Sequence, residues 1–412
     1  MNITLLVMYF PPEIGSASHL FYEFAEELTK RGHKVTVVTT FPREYNLNKD
    51  ELHLMSKYKR KAFLREKIDG INVIRVRSLQ APRDSPILRG LEHFFVPLSV
   101  TLGGLFAKSD VIVVYSPPLP LGLAGWVLSK IKRVPLIVNI QDLYPQAAID
   151  LGLLKNPILI EIFRVIEKLV YELSDHITVH SEGNKQHIAE KVPEEKITVI
   201  PNWHNSDIKV SDRYNEFRKK LGIIDKFVVT YAGIMSYSQD IETIVDAAAL
   251  LKDKKDIVFL LVGDGPQKGD IERKVELLGL DNVLMLPFQP KEKYSMLLAA
   301  SDVCLVTLDA NRVKTPVVPR KLNDIMAAGR AVIANVPLDG DVPKIVREAE
   351  CGYCIEPKNP ENLVEAILEL YNNPHLVEKF GRNGAEYARN NFAIGVCCSK
   401  YEKLFESLRK FK

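Results

Sequence analysis

The chain has 412 residues, 46% of them hydrophobic and 26% charged, enough for sizeable cores in two or three domains at about 150 residues each. Its 55 basic and 52 acidic residues leave a net charge of only +3, which excludes the broad positive field of a nucleic-acid-binding surface. Five cysteines, an odd number in a large chain, fit a reducing compartment better than a disulfide framework.

Asn2 to Met8 is a near-continuous apolar run, as expected of a parallel strand covered on both faces. It is too short for a signal-peptide core and no small-residue cleavage site follows, so the chain is expected to stay where it is made. After the loop YFPPEIGSASH, Leu20, Phe21, Phe24, Ala25 and Leu28 give a helix stripe ending at Arg31-Gly32, and Val35 to Thr39 is the next strand. This βαβ opening puts its loop at the strand's C-terminal end, where such sheets bind ligands. Gly15 in that loop reads either as a simple turn or as a point where backbone approaches a phosphate.

Phe41 to Asp69 reads as a long irregular insertion. Its centre, KYKRKAFLREK (57–67), has six basic residues and one acidic, with Phe63 and Leu64 interleaved. It is either a solvated loop or a contact for anionic lipid. Ile87 to Ala107 is apolar, but its clean run is shorter than the about 20 residues a bilayer span needs, and Pro97, Gly103 and Gly104 interrupt it. A helix packed mainly on the sheet is expected, with Phe94 and Phe95 as lipid-facing residues.

Val111 to Tyr115, Leu136 to Ile140 and Ile177 to Val179 follow as strands, with helices over Leu119 to Ile131 and Pro157 to Leu173. The motif IQDLYPQ puts Gln141 and Asp142 at the C-terminal end of a strand. An acid there serves either acceptor binding and proton transfer or the N-cap of the next segment, and Gln141 cannot act as a base. Ile197 to Ile200 and Pro201-Asn202-Trp203 close the first half, and His204 to Asp225 is the expected hinge.

The second half restarts with a strand at Phe227 to Ala232, followed by Gly233. A helix over Ile241 to Leu251, a strand over Ile257 to Val262 and the turn Gly263-Asp264-Gly265-Pro266 come next. Val283 to Leu286 then leads into Pro287-Phe288-Gln289. Further on, Arg312, Lys314, Arg320 and Lys321 precede Leu322, Ile325, Met326 and Ala327, which form one apolar helix face. Cations crowded before a helix N-terminus make sense when an anion sits between them; a solvated basic loop is the plain alternative. Gly329 ends this helix, and Ala331 to Ala334 is a short strand. Cys351-x-x-Cys354 has no second CxxC to complete a zinc site with Cys397 and Cys398, and Asp339-Gly340-Asp341 alone seldom holds Mg2+. No metal site is expected.

The segment VPRKLNDIMAAGRAVIA (318–334) resembles the donor-site block of the family-four retaining glycosyltransferases, in particular the branch making bacterial and archaeal surface glycans, whose pattern is like VPSKLxExxAAGxPVIA. Arg320 replaces the usual Ser and Asp324 the usual Glu. VGDGP (262–266) is similar to the turn beside the nucleotide in that family, and the likeness covers roughly residues 1–395. It implies an α/β chain of GT-B class, with two Rossmann-like doubly wound domains facing a cleft. The acceptor-side domain is expected over 1–203, with a C-terminal helix (395–412) packing back on it, and the nucleotide-sugar domain over 204–394.

The resemblance also assigns roles. Asp324 is expected to hold the nucleotide ribose, while Gly15, Ser16, Gly233, Gly263, Gly265 and the backbone at Phe288 line the donor; Gln141, Asp142 and His19 lie on the acceptor side. Pro316 stands where many members carry a donor-sugar Glu, and Ile234 and Gln239 stand where they grip the diphosphate with Arg and Lys. Positive charge must then come from Arg312, Lys314, Arg320 and Lys321, with Lys321, Arg312 and Asp142 as the catalytic candidates. The implied activity is transfer of a hexosyl or N-acetylhexosaminyl group, with retention and without metal or cofactor, from a nucleotide diphosphate sugar, UDP favoured. The implied acceptor is a lipid-linked or small glycan in surface polysaccharide or glycoprotein glycan assembly. The implied place is the cytoplasm, peripheral on an anionic membrane surface, with no nucleic-acid partner. A nucleotide-sugar 2-epimerase of this architecture, a soluble transferase with a small-molecule acceptor and a non-catalytic nucleotide-sugar-binding protein are the alternatives.

Overall fold

Runs of Val, Ile and Leu without polar alternation are satisfied inside a parallel sheet covered on both faces, and the chain builds two such sheets. The computed structural model describes residues 1–47, 49–82, 85–309 and 316–409, so Arg312 and Lys314 lie outside the described residues. Two compact units result, Met1–Pro201 with Ile394–Lys412, and Asn202–Ala393.

The first unit contains β1 (Asn2–Leu6), β2 (Lys34–Thr40), β3 (Phe63–Ile68), β4 (Ile71–Val76), β5 (Val111–Ser116), β6 (Leu136–Ile140), β7 (His176–Val179) and β8 (Ile197–Val199). They form one sheet in the order β3-β4-β2-β1-β5-β6-β7-β8, parallel except for the antiparallel β3–β4 pair. Leu5 of β1 sits opposite Val37 and Val113, and every residue of β5 and β6 is buried. The winding reverses between β1 and β5, so the loops leaving these strands diverge and open the C-terminal edge of the sheet. Helix Ile394–Arg409 completes this unit. The Tyr401 hydroxyl lies 3.0 Å from Asn139 Nδ2 and 3.2 Å from Thr178 Oγ1, its ring packs 4.7 Å from that of Phe24, and Arg31 pairs with Glu402 at 2.8 Å.

Phe41 to Asp69 is not an irregular insertion. It contains short 3-10 turns at Glu44–Asn46 and Lys49–Leu54 and the edge strand β3. An edge strand has one hydrogen-bonded neighbour and no need for two apolar faces, and charge along it discourages further pairing, which is why its sequence reads as loop. Glu66 from this strand pairs with the buried Arg75 guanidinium. The segment Ile87 to Ala107 is largely one helix, Pro86–Gly104, which passes through Pro97. Gly103 and Gly104 are close-packing positions: a Cβ would lie 2.6 Å from Val76 Cγ1 at Gly103 and 2.3 Å from Leu128 Cδ1 at Gly104. Among the described residues no helix is long and apolar enough to cross a membrane.

The second unit contains β9 (Phe227–Ala232), β10 (Ile257–Val262), β11 (Val283–Leu286), β12 (Val303–Thr307), β13 (Ala331–Asn335) and β14 (Gly352–Ile355), in the order β11-β10-β9-β12-β13-β14. All five pairings are parallel, and the winding reverses between β9 and β12. Helix Arg320–Ala327 buries Leu322 to Ala327 and leaves its first two residues, Arg320 and Lys321, half-buried at the C-terminal edge of this sheet.

Candidate active site

In the second unit the loops after β9, β10 and β11 are joined through backbone. Gly233 N–H donates to the Val262 carbonyl at 2.9 Å, Gly263 N–H to that of Leu286 at 3.0 Å and Met235 N–H to that of Asp264 at 2.8 Å. Close approach dictates the glycines. A Cβ on Gly263 would lie 1.9 Å from the Gly233 carbonyl oxygen, and one on Gly265 2.4 Å from that of Met235. The Gly-Asp-Gly turn therefore lets two backbones cross before it does anything else. At Gly233 a Cβ would meet Lys321 Nζ at 3.0 Å, so the missing side chain is the space the ammonium borders.

That ammonium donates to Gln239 Oε1 at 2.7 Å and to the Tyr231 hydroxyl at 3.2 Å, and it lies 4.3 Å from the centre of the Tyr231 ring. All three partners are neutral, and burial pushes the Tyr231 phenol further up, keeping it so. No ion pair joins Lys321 to an acid among the described residues. Part of its side chain reaches the surface while protein encloses its ammonium, and that enclosure governs the charge: desolvation lowers the Lys321 pKa to about 7. An ammonium held by neutral groups, bordering the space left by a glycine, is equipped to receive an anion. Gln239, in the position of the expected Lys, contributes the acceptor that orients this one.

Asp324 is buried, and its Oδ1 accepts the Asn205 N–H at 2.8 Å. Beside it, Asn323 Nδ2 donates to the Asn202 carbonyl at 2.6 Å, so the helix is tied to the segment that opens this unit. Tyr294 lies close to both Asp324 and Arg320: burial raises its phenol pKa, Asp324 adds to the rise and Arg320 opposes it. Phe288 follows β11 and is exposed.

In the first unit Gly15 precedes helix Ser16–Lys30, with open space where a Cβ would stand. A cleft of about 580 Å³ opens there, lined by Tyr9, Gly15, Ser16, Ser18, Tyr45 and Asn46 among others. His19 is exposed in the first turn of this helix, and its N–H donates to the Gly15 carbonyl at 3.1 Å. Beneath the cleft is a buried charge cluster that the sequence reading missed. Arg43 donates to Glu13 at 3.1 Å and to Glu92 at 2.7 Å, with its guanidinium 4.6 Å from the Tyr9 ring centre. Desolvation raises the Glu13 carboxyl pKa although Arg43 pulls it down. The signal available was a single acid inside the Pro-Pro-Glu loop and an Arg directly after Phe41-Pro42.

Asp142 follows β6. It is not an N-cap, because helix Gln146–Asp150 is preceded by Pro145 and has no side-chain cap. The residue is exposed at the rim while protein crowds round it, and this desolvation raises its carboxyl pKa. Its charge adds to the burial that pushes up the Tyr115 phenol on neighbouring β5. Gln141 Nε2 donates to Asn139 Oδ1 at 2.8 Å, joining the group that holds Tyr401. The structure thus gathers Gly15, Ser16 and His19 at one strand end of the first sheet and Gln141 and Asp142 at another, and it gathers Gly233, Gly263, Gly265 and Lys321 in the second. Among the described residues no three His, Cys, Asp or Glu side chains are grouped to hold a metal ion, and Asp341 instead opens a helix, 3.4 Å from Lys344 Nζ.

Residues 15–203 match a model of the glycosyl transferase 4-like domain, and residues 213–387 match that of glycosyl transferases group 1. The chain belongs to family four of the glycosyltransferases. This glycosyltransferase is 24% identical over 408 residues to WcaI of Escherichia coli K12, a glycosyl transferase named for colanic acid biosynthesis, covering 94% of this chain and 95% of that protein. It is 25% identical over 239 residues to N-acetyl-alpha-D-glucosaminyl L-malate synthase of Bacillus anthracis, covering 57% of this chain and 60% of the relative. HepE of Anabaena, solved with UDP and with UDP-glucose, aligns with TM-scores of 0.74 and 0.72 at 18% and 19% identity, over 99% of this chain and 100% of HepE. That likeness gives the glycosyltransferase its GT-B fold. The epimerase and non-catalytic readings gain nothing from these matches.

Proposed function

We propose that this glycosyltransferase moves a hexosyl or N-acetylhexosaminyl group, with retention at the anomeric carbon, from a UDP-sugar to a lipid-linked glycan at the cytoplasmic face of a membrane, in surface-glycan assembly. The observation that carries the donor side is the Lys321 ammonium, held by neutral Gln239 and Tyr231 beside Gly233. A departing diphosphate needs its charge neutralised, and a poorly hydrated ammonium supplies this without a metal or cofactor. Arg320 lies one residue away to assist, Arg312 and Lys314 belong to the same stretch of sequence, and Asp324 keeps a carboxylate for the ribose. On the acceptor side, a carboxylate with a raised pKa at Asp142 is suited to take the proton of an attacking hydroxyl. Similarity to WcaI supports the surface-glycan setting, and the UDP and UDP-glucose bound to HepE support the donor class.

The test is nucleotide release from a panel of UDP- and GDP-sugars, with and without a membrane lipid extract, by wild type and Lys321→Ala. Release that needs the extract and collapses in the variant is expected. Release untouched by the substitution would move the diphosphate away from Lys321, and release without extract, driven by a small acceptor, would replace the lipid-linked one.

A further inference from the structure

Two helices of the first unit carry apolar stripes that face outward. On Pro86–Gly104 and the turn after it, Leu91, Phe95, Leu98, Leu102 and Phe106 recur at helical spacing and are all exposed, Leu98 and Leu102 at 64%. The opposite side of that helix carries Val96 and Val100 and is fully buried against the sheet. On Pro157–Leu173 the stripe Ile158, Ile162, Val165 and Leu169 is exposed, Ile158 at 70%, while Phe163, Val170 and Tyr171 are buried. A stripe at this period is normally what a helix buries; here each helix has one for the core and a second for something else. The partly exposed Phe94 ring packs 5.7 Å from the buried Phe163 ring, which sets the two helices close together with their outward stripes on the same side of the sheet.

The border of this face is basic. Phe63, Arg65 and Lys67 alternate along β3 on one side of the sheet; Phe63 lies 5.4 Å from Phe106, and the Arg65 guanidinium lies 5.5 Å and 5.7 Å from the two ring centres. Lys59, Arg60 and Lys61 sit just before this strand, exposed. A water-exposed apolar face of this extent marks an interaction site, and bordering cations select a partner that is apolar within and negatively charged at its surface. We infer that this face docks the first unit side-on against an anionic lipid bilayer. The orientation has a use, which rests on the glycosyl-transfer reading. Both helices start at the C-terminal edge of the sheet, where the Gly15 loop and Asp142 lie, and Glu92 of the first helix is held through Arg43 to Glu13 of that loop. A membrane-anchored acceptor would reach Asp142 without leaving the lipid.

Flotation of the full chain with vesicles of phosphatidylglycerol and phosphatidylcholine in equal parts, without donor, tests this. Binding is expected at low salt and weaker on pure phosphatidylcholine. Joint Lys59→Ala, Arg60→Ala and Lys61→Ala should lower the partition coefficient about a hundredfold at low salt. Leu98→Glu with Ile162→Glu should remove binding at every salt concentration, while Leu277→Glu, at an exposed position in the second unit, should leave it intact. Unchanged melting temperature and UDP-glucose affinity in these variants would show that folding is not at issue. No flotation of wild type, flotation indifferent to both sets of substitutions, or a dimer in light scattering that Leu98→Glu dissociates would each overturn the inference. Because the assay uses no donor, vesicle binding without turnover would sink the transfer reading alone, and turnover on lipid extract without vesicle binding would sink the docking alone.

Discussion

The affinity for a nucleotide sugar should depend on pH through a single lysine. Lys321 falls from 10.5 to about 7 because its ammonium loses water and gains no acid in exchange. That fall corresponds to about 5 kcal/mol of lost charge stabilisation, part of which a diphosphate would restore. UDP-glucose keeps its two phosphate charges from weakly acidic to alkaline pH, so the titration belongs to the protein. If the bound form is the ammonium, each unit of pH above the free pKa costs about tenfold in affinity, and the drop between pH 7 and pH 9 should be about fiftyfold. At pH 8 about 0.9 proton should be taken up on binding, readable by isothermal titration calorimetry in buffers of different ionisation enthalpy. Lys321→Arg, charged throughout, should flatten the profile, and Lys321→Ala should bind weakly at every pH. A wild-type affinity indifferent to pH, or an equal slope in Lys321→Ala, would refute the assignment of the diphosphate to this ammonium.

The same shift has a stability consequence. The unfolded lysine holds its proton between pH 7 and pH 10.5 where the folded one has released it, so ligand-free stability should rise with pH through that window, and Lys321→Met should flatten the rise in chemical denaturation while abolishing donor binding. Gly263→Ala drives a methyl into the Gly233 carbonyl and should cost about 3 kcal/mol of stability together with UDP-glucose affinity, measured on the same preparation by urea titration and calorimetry. Asp142→Asn should spare UDP-glucose binding and reduce transfer; since crowding raises the Asp142 carboxyl, wild-type transfer should climb with pH through that raised pKa and the variant should lose this limb. Tyr401→Phe removes two buried contacts, to Asn139 and Thr178, and should cost about 1–3 kcal/mol in urea denaturation.

Much of the fold was legible because buried parallel strands advertise themselves: Leu136–Ile140, Phe227–Ala232, Ile257–Val262 and Val283–Leu286 are the apolar runs the sequence shows, residue for residue. β3 was hidden because charge suits an edge. β4 and β12 went unassigned although INVIRV and VCLVT are apolar: the first follows directly on the supposed insertion that ends at Asp69, and the second lies shortly before the stretch of cations. Helix Pro157–Leu173 was found, but periodicity alone could not tell its core-facing stripe from its outward one. The site was legible where a glycine or lysine is needed and illegible where the partner is distant in sequence. Nothing local tells that Lys321 meets Tyr231 and Gln239 some 82 to 90 residues earlier, or that the loss of a Lys at position 239 leaves an amide that holds another Lys. Nor does sequence show that Gly263 is required by the Gly233 carbonyl rather than by a phosphate.

The first unit is assembled from both ends of the polypeptide, whereas the second is one uninterrupted stretch, Asn202–Ala393. On the ribosome the second unit is therefore complete before the first, although the first begins to emerge earlier. Until Tyr401 arrives, Asn139 and Thr178 lack their hydroxyl partner and Phe24 lacks its ring. The nascent first unit must then wait with an open seam while the whole second unit is synthesised, a period in which its outward apolar stripes are also uncovered and a chaperone or a lipid surface has most to offer it.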